Sequence, residues 1–281
     1  MDVSPRKRIG RRGALEEPVE GDTVSSAFLR LEAISKTYPA RDGKPVRALD
    51  EISCTLRNGE FASILGPSGC GKSTLLLIIA GLISPTSGRL RFREEKAEAG
   101  ASDFGIVFQD PVLFPWRDVQ ANVELPAEIV RIGREERAET ARKLITLVGL
   151  QGFERKYPYE LSGGMQQRVA IARALMLSPS LLLMDEPFGA LDAMTREQMN
   201  LELQKISMAT RATVVFVTHS IAEAVFLSDR VMVMTGRPAI LREVVDIDIP
   251  RPRSLDMIAS GRFGGLVSHL RQLLNARVDP T

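Results

Sequence analysis

The sequence predicts an α/β fold built on a mixed, largely parallel sheet. A short apolar stretch, Phe61–Leu65, leads through a glycine-rich turn into an apolar helix expected over Leu75–Ala80. A second apolar stretch, Leu181–Met184, ends in two acidic residues, and strands buried on both faces are typical of the centre of a parallel sheet. Between them, residues 118–150 carry apolar residues at helical spacing, which predicts an inserted helical subdomain.

The composition is that of an ordinary globular protein. The 281 residues are 44% apolar and 26% charged, with 37 basic and 35 acidic residues for a net charge of +2. That balance is not typical of a nucleic-acid binder. The longest apolar run, Leu75–Ile83, is too short to cross a bilayer, and the basic start leads to no apolar signal segment. We therefore expect a cytoplasmic protein. Docking on a membrane protein is compatible with this expectation.

The first segments predict a tail followed by strands. Residues 1–26 mix basic and acidic residues with little apolar content, which is typical of a disordered tail. Phe28–Ile34 and Ile52–Leu56 show apolar spacing near period two, and an Asn-Gly turn precedes the next strand. Tyr38 lies ahead of the glycine-rich turn, where its ring could stack on an adenine or simply pack. Cys54 fits a core strand position.

The glycine-rich turn matches the phosphate-binding loop pattern. Glycines let the backbone turn tightly, and the N-terminus of the following helix supplies free N–H donors. The lysine offers a positive charge to β- and γ-phosphates, and the serine hydroxyl can bind Mg²⁺. The alternative is a plain turn before a helix. The predicted nucleotide-binding residues are Gly66, Pro67, Ser68, Gly69, Cys70, Gly71, Lys72, Ser73 and Thr74.

Beyond this loop the sequence predicts two strands, over 88–93 and 104–108, and then Gln109. Residues 111–116 form an apolar, proline-punctuated stretch with the only tryptophan of the chain, Trp116. It has two interpretations, a groove for a membrane partner's helix or packing within the helical subdomain. In the predicted helices, the apolar stripe consists of Ala138, Ala141, Ile145 and Val148.

Two further segments place candidate binding or catalytic residues at the start of a predicted helix and at the end of a predicted strand. In 161–168, two glycines precede a helix expected from about Gln166 to Leu177, a second potential anion site. The acidic pair after Leu181–Met184 falls where open α/β sheets bind ligands. Asp185 suits Mg²⁺, and Glu186 suits a base that positions an attacking water. The alternative for the pair is a cap on the next loop.

A histidine ends the next predicted strand. After a helix over 195–208, Thr213–Thr218 is apolar enough for a buried strand, and His219 follows it. At that position an imidazole could sense or orient a γ-phosphate, whereas His269 carries only a structural interpretation. Ser220 and Glu223 match a capping box. Strands over 231–234 and 239–249 and a helical segment over 254–275 complete the prediction.

Taken together, these segments resemble the ATP-binding subunits of ABC transporters over about residues 28–275. The stretch LSGGMQQR at 161–168 is the most specific part, because other phosphate-loop NTPases lack it. The resemblance implies a P-loop NTPase, RecA-like core with a mixed sheet, an N-terminal antiparallel β subdomain and a helical subdomain over about 111–165. The implied cassette spans 27–240, and a C-terminal strand and helical tail span 241–281.

The same resemblance implies roles for individual residues. It makes Tyr38 the adenine-stacking aromatic and 189–192 the D-loop. It implies catalytic roles for Lys72, Gln109, Glu186 and His219, and a metal site formed by Ser73, Gln109 and Asp185. The signature residues contact the γ-phosphate of ATP held by the opposite subunit; they are Ser162, Gly163, Gly164 and Gln166.

As a function, the resemblance implies an Mg²⁺-dependent ATPase that forms an ATP-sandwich homodimer on transmembrane permease subunits, at the inner face of the membrane. A solute-binding protein is an indirect partner, and nucleic acid is not one. The stretches 108–116 and 251–254 are similar to importers of nitrate, sulfonate and taurine. The alternatives are an exporter subunit, a soluble non-transport ABC ATPase and a purely structural nucleotide-binding module.

Overall fold

The computed structural model describes residues 27–39, 43–93 and 103–276. The tail predicted over 1–26 lies outside these ranges, as do the last five residues of the C-terminal segment. Within the described part of the chain, no helix combines the length and the apolar character that crossing a membrane requires.

A six-stranded mixed sheet forms the centre of the molecule. Its strands, in spatial order, are β5 (Phe104–Val107), β6 (Leu181–Asp185), β7 (Thr213–Thr218), β3 (Phe61–Leu65), β8 (Arg230–Thr235) and β9 (Ile240–Asp246). The first five run parallel, and β9 pairs antiparallel with β8. The predicted mixed sheet is therefore confirmed, with the apolar strands β3, β6 and β7 side by side at its centre.

Each central strand divides its side chains between two cores, because successive residues point to opposite faces. In β7, for example, Val214 and Phe216 belong to one core, and Val215 and Val217 to the other. The second core is completed by a smaller antiparallel sheet with the order β2-β1-β4. Its strands are β1 (Ala27–Tyr38), β2 (Val46–Arg57) and β4 (Ser87–Phe92).

Seven helices in the described residues surround the sheets. They are α1 (Lys72–Ile79), α2 (Val119–Ile129), α3 (Arg134–Leu147), α4 (Gly163–Ala174), α5 (Ala193–Thr210), α6 (Ile221–Leu227) and α7 (Gly261–Asn275). The helix predicted from about Gln166 begins three residues earlier, because the Ser162 hydroxyl accepts a hydrogen bond from the Met165 N–H at 3.3 Å and caps its first turn. It also ends earlier, at Ala174.

The inserted helices α2 and α3 pack against each other and against α4. Ala141, Ile145 and Val148 of the predicted stripe are buried, and Ala138 is half-buried. Asn122 is fully buried and ties the preceding apolar loop to α2, since its amide bonds both the N–H and the carbonyl of Phe114.

The C-terminal segment is attached to the core through a buried arginine. The Arg253 guanidinium donates to the carbonyls of Val225, Phe226 and Ser228 at the end of α6, and to that of Ile249. Burial lowers the pKa of Arg253 to about 10. A cation at a helix C-terminus is favourable because the unpaired carbonyls there carry partial negative charge.

Candidate active site

The pairing of the parallel strands brings three sequence-predicted groups to one edge of the sheet. Leu65 lies opposite Thr218, and Asp185 lies opposite Val217. The residues that follow β3, β6 and β7 therefore emerge side by side. These are the glycine-rich loop, Glu186 and His219, as expected for the carboxyl edge of an open α/β sheet.

The loop after β3 presents the N-terminus of α1 without a side-chain cap. Gly71 occupies the cap position with φ 114°, a conformation that favours glycine, and no side chain bonds the first turn of the helix. A Cβ at Gly66 would lie 2.6 Å from the Met234 carbonyl oxygen, so only glycine fits there as well. The free N–H groups and the absence of acidic residues in the first turn suit a bound anion.

Lys72 lies beneath this loop with its ammonium held in place. The residue is 4% exposed, and its Nζ donates to the carbonyls of Gly66 at 3.0 Å and Pro67 at 3.1 Å. The same Nζ lies 3.2 Å from Oε1 of Glu186. A fixed positive charge thus stands next to the anion-binding loop.

Glu186 bridges Lys72 and His219. Its Oε2 lies 2.8 Å from Nδ1 of His219, and its backbone has φ 45°, an unusual value for a residue other than glycine. Burial by itself would raise the pKa of Glu186, but the hydrogen bonds from His219 and Lys72 outweigh it and leave the pKa below its ordinary value. The side chain is therefore a carboxylate at neutral pH.

Asp185 and Ser73 form the oxygen pair expected of a magnesium site. The Ser73 hydroxyl donates to Oδ1 of Asp185 at 3.1 Å. Burial raises the pKa of Asp185, and the neighbouring charge of Glu186 adds to this shift, while the hydrogen bond from Ser73 and the charge of Lys72 oppose it. A buried carboxylate beside a hydroxyl fits Mg²⁺, which prefers oxygen ligands and takes few of them from protein when phosphates supply the rest. Among the described residues, no three His, Cys, Asp or Glu side chains cluster closely enough to hold a metal ion by themselves.

Lys72, Ser73, Asp185 and Glu186 share one cleft of about 550 Å³, whereas His219 touches Glu186 from outside its lining. The cleft is lined by the start of β2, the glycine-rich loop, Gln109, the acidic pair and Arg237. The Arg237 guanidinium donates to the Ser68 carbonyl at 3.2 Å. Sequence reasoning missed Arg237, although its turn follows a parallel strand and so must fall at the ligand-binding edge.

Tyr38 does not line the cleft. Its strand partner Val46 does, and the ring is 37% exposed with the Lys36 ammonium 5.2 Å from its centre. The adenine-stacking role of Tyr38 therefore stays a prediction.

Both cysteines are free thiols in environments that disfavour the thiolate. Burial raises the pKa of Cys70, and it raises that of Cys54 to about 12. A thiol that stays protonated at neutral pH is a poor nucleophile.

The residues predicted to contact ATP across a dimer lie apart from this cleft. Ser162 and Gly163 are exposed at the start of α4, and none of the four signature residues lines the cleft. The Gln166 amide donates to the carbonyls of Pro158 and Leu161, which holds the turn before the helix. The start of α4 and the cleft are therefore separate surfaces of one chain.

Comparison with known protein families gives a match over the centre of the chain. The family described as ABC transporter matches residues 49–189. An ABC transporter ATP-binding protein of Methanocaldococcus jannaschii is 51% identical over 225 residues, which cover 80% of this chain and 84% of that protein.

Two relatives carry names that include a transported solute. The taurine import ATP-binding protein TauB of Rhizobium johnstonii is 44% identical over 90% of this chain and 98% of its own length. The nitrate import ATP-binding protein NrtC of Synechococcus elongatus is 42% identical over 89% of this chain, which spans only 38% of that longer protein.

Solved structures agree with the sequence relatives. The dimeric structure of MJ0796, described as a bacterial ABC transporter cassette, superposes with a TM-score of 0.68 at 34% identity, over 79% of this chain and all of that one. A second dimeric structure of MJ0796, a post-hydrolysis state bound to ADP and Pi, gives a TM-score of 0.67.

Proposed function

This chain belongs to the ABC transporter family as an ATP-binding and ATP-hydrolysing subunit, and from that premise we propose that it powers the import of a small anion such as nitrate, a sulfonate or taurine. The observation that carries the ATPase chemistry is the contact of Glu186 with both Lys72 and His219 at the phosphate loop. The importer assignment is supported by the relatives named for nitrate and taurine import.

The loop and Lys72 bind the phosphates of ATP. The free N–H groups at the start of α1 donate hydrogen bonds to the phosphate oxygens, and the buried ammonium neutralises charge next to them. Phosphoryl transfer depends on such positioning and charge stabilisation more than on covalent chemistry. The carbonyls of Gly66 and Pro67 hold the Lys72 ammonium next to the loop before ATP binds.

Glu186 and His219 orient the attacking water. The carboxylate is ionised and accepts hydrogen bonds, so it can hold a water and take its proton. His219 keeps that carboxylate in place through the contact of its Nδ1 with Oε2 at 2.8 Å. Gln109 lines the same cleft and completes the polar wall around the water.

The oxygen pair Ser73 and Asp185, with Gln109, is the set that would hold Mg²⁺. When bound with ATP, Mg²⁺ neutralises charge on the phosphate oxygens. The raised pKa of Asp185 means that its carboxylate gains from a nearby cation.

A second copy completes each site. The signature residues at the start of α4 offer a hydroxyl and backbone N–H groups, yet they lie outside the cleft of their own chain. In a head-to-tail pair, each cleft receives the signature residues of the partner, and ATP links the two copies. We further propose that permease subunits anchor this pair at the cytoplasmic face of the membrane and that a solute-binding protein acts through them.

ATP turnover of the purified chain, measured beside its molecular mass in ATP, tests the enzyme part of the proposal. We expect Mg²⁺-dependent hydrolysis and an ATP-dependent dimer. The import part is tested in vesicles that contain the permease. ATP-driven uptake of taurine or nitrate with the solute-binding protein outside supports the proposal, and ATP-driven release of solute would refute it.

A further inference from the structure

The turns that carry Glu186 and His219 are joined by a hydrogen-bond network outside the cleft. The Glu186 turn covers 186–192 and leads into α5, whereas the His219 turn covers 219–220 and leads into α6. Three side chains connect them, and we call these the turn tie: Arg196, Thr218 and Glu223. None of the three lines the cleft.

Arg196 holds the Glu186 turn. Its Nη2 donates to the Leu191 carbonyl at 2.8 Å, and its Nε donates to the Phe188 carbonyl at 3.3 Å. The same turn is closed by a hydrogen bond of 3.0 Å from the Gly189 N–H to the Glu186 carbonyl. A planar guanidinium with several fixed donors can constrain more than one carbonyl at once, so Arg196 fixes the path of the chain after Glu186.

Glu223 holds the His219 turn. Its Oε2 accepts a hydrogen bond from the Thr218 hydroxyl at 2.5 Å, and that hydroxyl accepts one from the Ser220 N–H at 2.9 Å. The residues before and after His219 are thereby linked to each other. The other oxygen of Glu223, Oε1, lies 3.5 Å from Nε of Arg196, which joins the two turns.

Stability alone is a poor explanation for this network. Glu223 is only 6% exposed, and burial raises its pKa. The Arg196 side chain is 32% exposed, so the pair has one buried and one partly exposed member, and an ion pair that desolvates a charge is often no more stabilising than apolar side chains of similar volume. Burying the Glu223 charge costs free energy, and the pair lies in turns next to Glu186 and His219. This location indicates that the pair positions those two residues.

We propose that Arg196 and Glu223 are positioning residues that set the placement of Glu186 relative to His219. This inference rests on the proposed function, because it concerns how that site is held. Misplacement of reacting groups by about 1 Å can cost on the order of a hundredfold in rate. The turn tie is expected to affect turnover. ATP affinity depends on the glycine-rich loop and Lys72, and the turn tie contacts neither.

The test is steady-state ATP hydrolysis by the full chain and by four variants, with the Tm of each. We expect Arg196→Ala to lower kcat by roughly ten- to a hundredfold, with KM for ATP changed less than about threefold. Arg196→Lys should recover part of the loss because the charge remains. Glutamine has the same shape as glutamate, so the kcat of Glu223→Gln should lie between those of Arg196→Ala and Arg196→Lys. Arg137→Ala is the matched control, since it breaks a similarly buried pair with Glu124 in the helical insert and should keep the wild-type kcat.

Several outcomes would overturn the inference. One is a wild-type kcat in folded Arg196→Ala and Glu223→Gln. Another is a loss that merely follows the fall in Tm and occurs equally in Arg137→Ala. If Arg196→Ala does not fold, Glu223→Gln decides the question. A wild-type chain without ATP turnover would refute the proposed function, and this inference with it.

Discussion

Nδ1 of His219 lies 2.8 Å from Oε2 of Glu186, while Nζ of Lys72 lies 3.2 Å from the other oxygen of the same carboxylate. Both donors lower the pKa of Glu186. A phosphate that takes up the Lys72 ammonium weakens one of these contacts and brings negative charge nearby, and both changes make the carboxylate a stronger base. The arrangement thus links substrate binding to the activation of Glu186.

We expect Glu186→Gln to reduce ATP turnover by roughly a hundredfold or more, because the amide cannot take a proton from water. ATP binding should persist, so the variant should accumulate as a closed dimer in ATP. The measurement is turnover together with mass by light scattering. Glu243→Gln is a matched control, since it alters another Glu–His pair, with His269 at 3.2 Å. Normal turnover in Glu186→Gln would rule out its assigned role.

Lys72→Ala should weaken ATP binding by roughly ten- to a hundredfold, since hydrogen bonds to charged groups contribute about 1.5–3 kcal/mol. Titration calorimetry with ATP and Mg²⁺ measures the effect. Lys143→Ala, which removes an exposed lysine from the helical insert, should bind as the wild type does. Unchanged affinity in Lys72→Ala would contradict the phosphate-loop assignment.

Trp116→Ala should separate ATP hydrolysis from transport. The indole is 70% exposed and lies 5.0 Å from the Phe114 ring, so its removal should change the free energy of unfolding by about 1 kcal/mol or less. We expect basal ATPase activity to remain and stimulation by the permease to fall. Met208→Ala, a half-exposed apolar control, should leave both intact. A large drop in Tm would instead favour the packing interpretation of this loop.

The buried Glu223 carboxyl predicts a pH-dependent stability difference. Burial raises its pKa above the ordinary value of 4.5. The wild-type chain therefore has the full contribution of this group below pH 4.5 and loses it as pH rises through the higher folded pKa. Glutamine does not titrate, so the Tm of Glu223→Gln relative to wild type should rise over that interval and then level off. A difference that stays constant between pH 4.5 and 7.5 would contradict the shift.

The sequence predicted the site through local patterns and strand ends. Glu186 and His219 are 33 residues apart, yet each directly follows an apolar strand, which was enough to bring them together. Arg237 and Ser68 are 169 residues apart, and no periodicity predicts their contact. The start of α4 was placed late because the Ser162 cap outweighs the low helix propensity of two glycines. The signature residues do not line the cleft of their own chain, so their roles stay predictions.

The buried guanidinium of Arg253 limits how far the chain can be shortened. Its carbonyl partners Val225, Phe226 and Ser228 close the last turn of α6, and that helix begins two residues after His219. Deletion from residue 250 onward would leave those carbonyls buried without donors and loosen the helix from its far end. A fusion or affinity tag is therefore best joined beyond α7, where an attachment leaves His219 undisturbed.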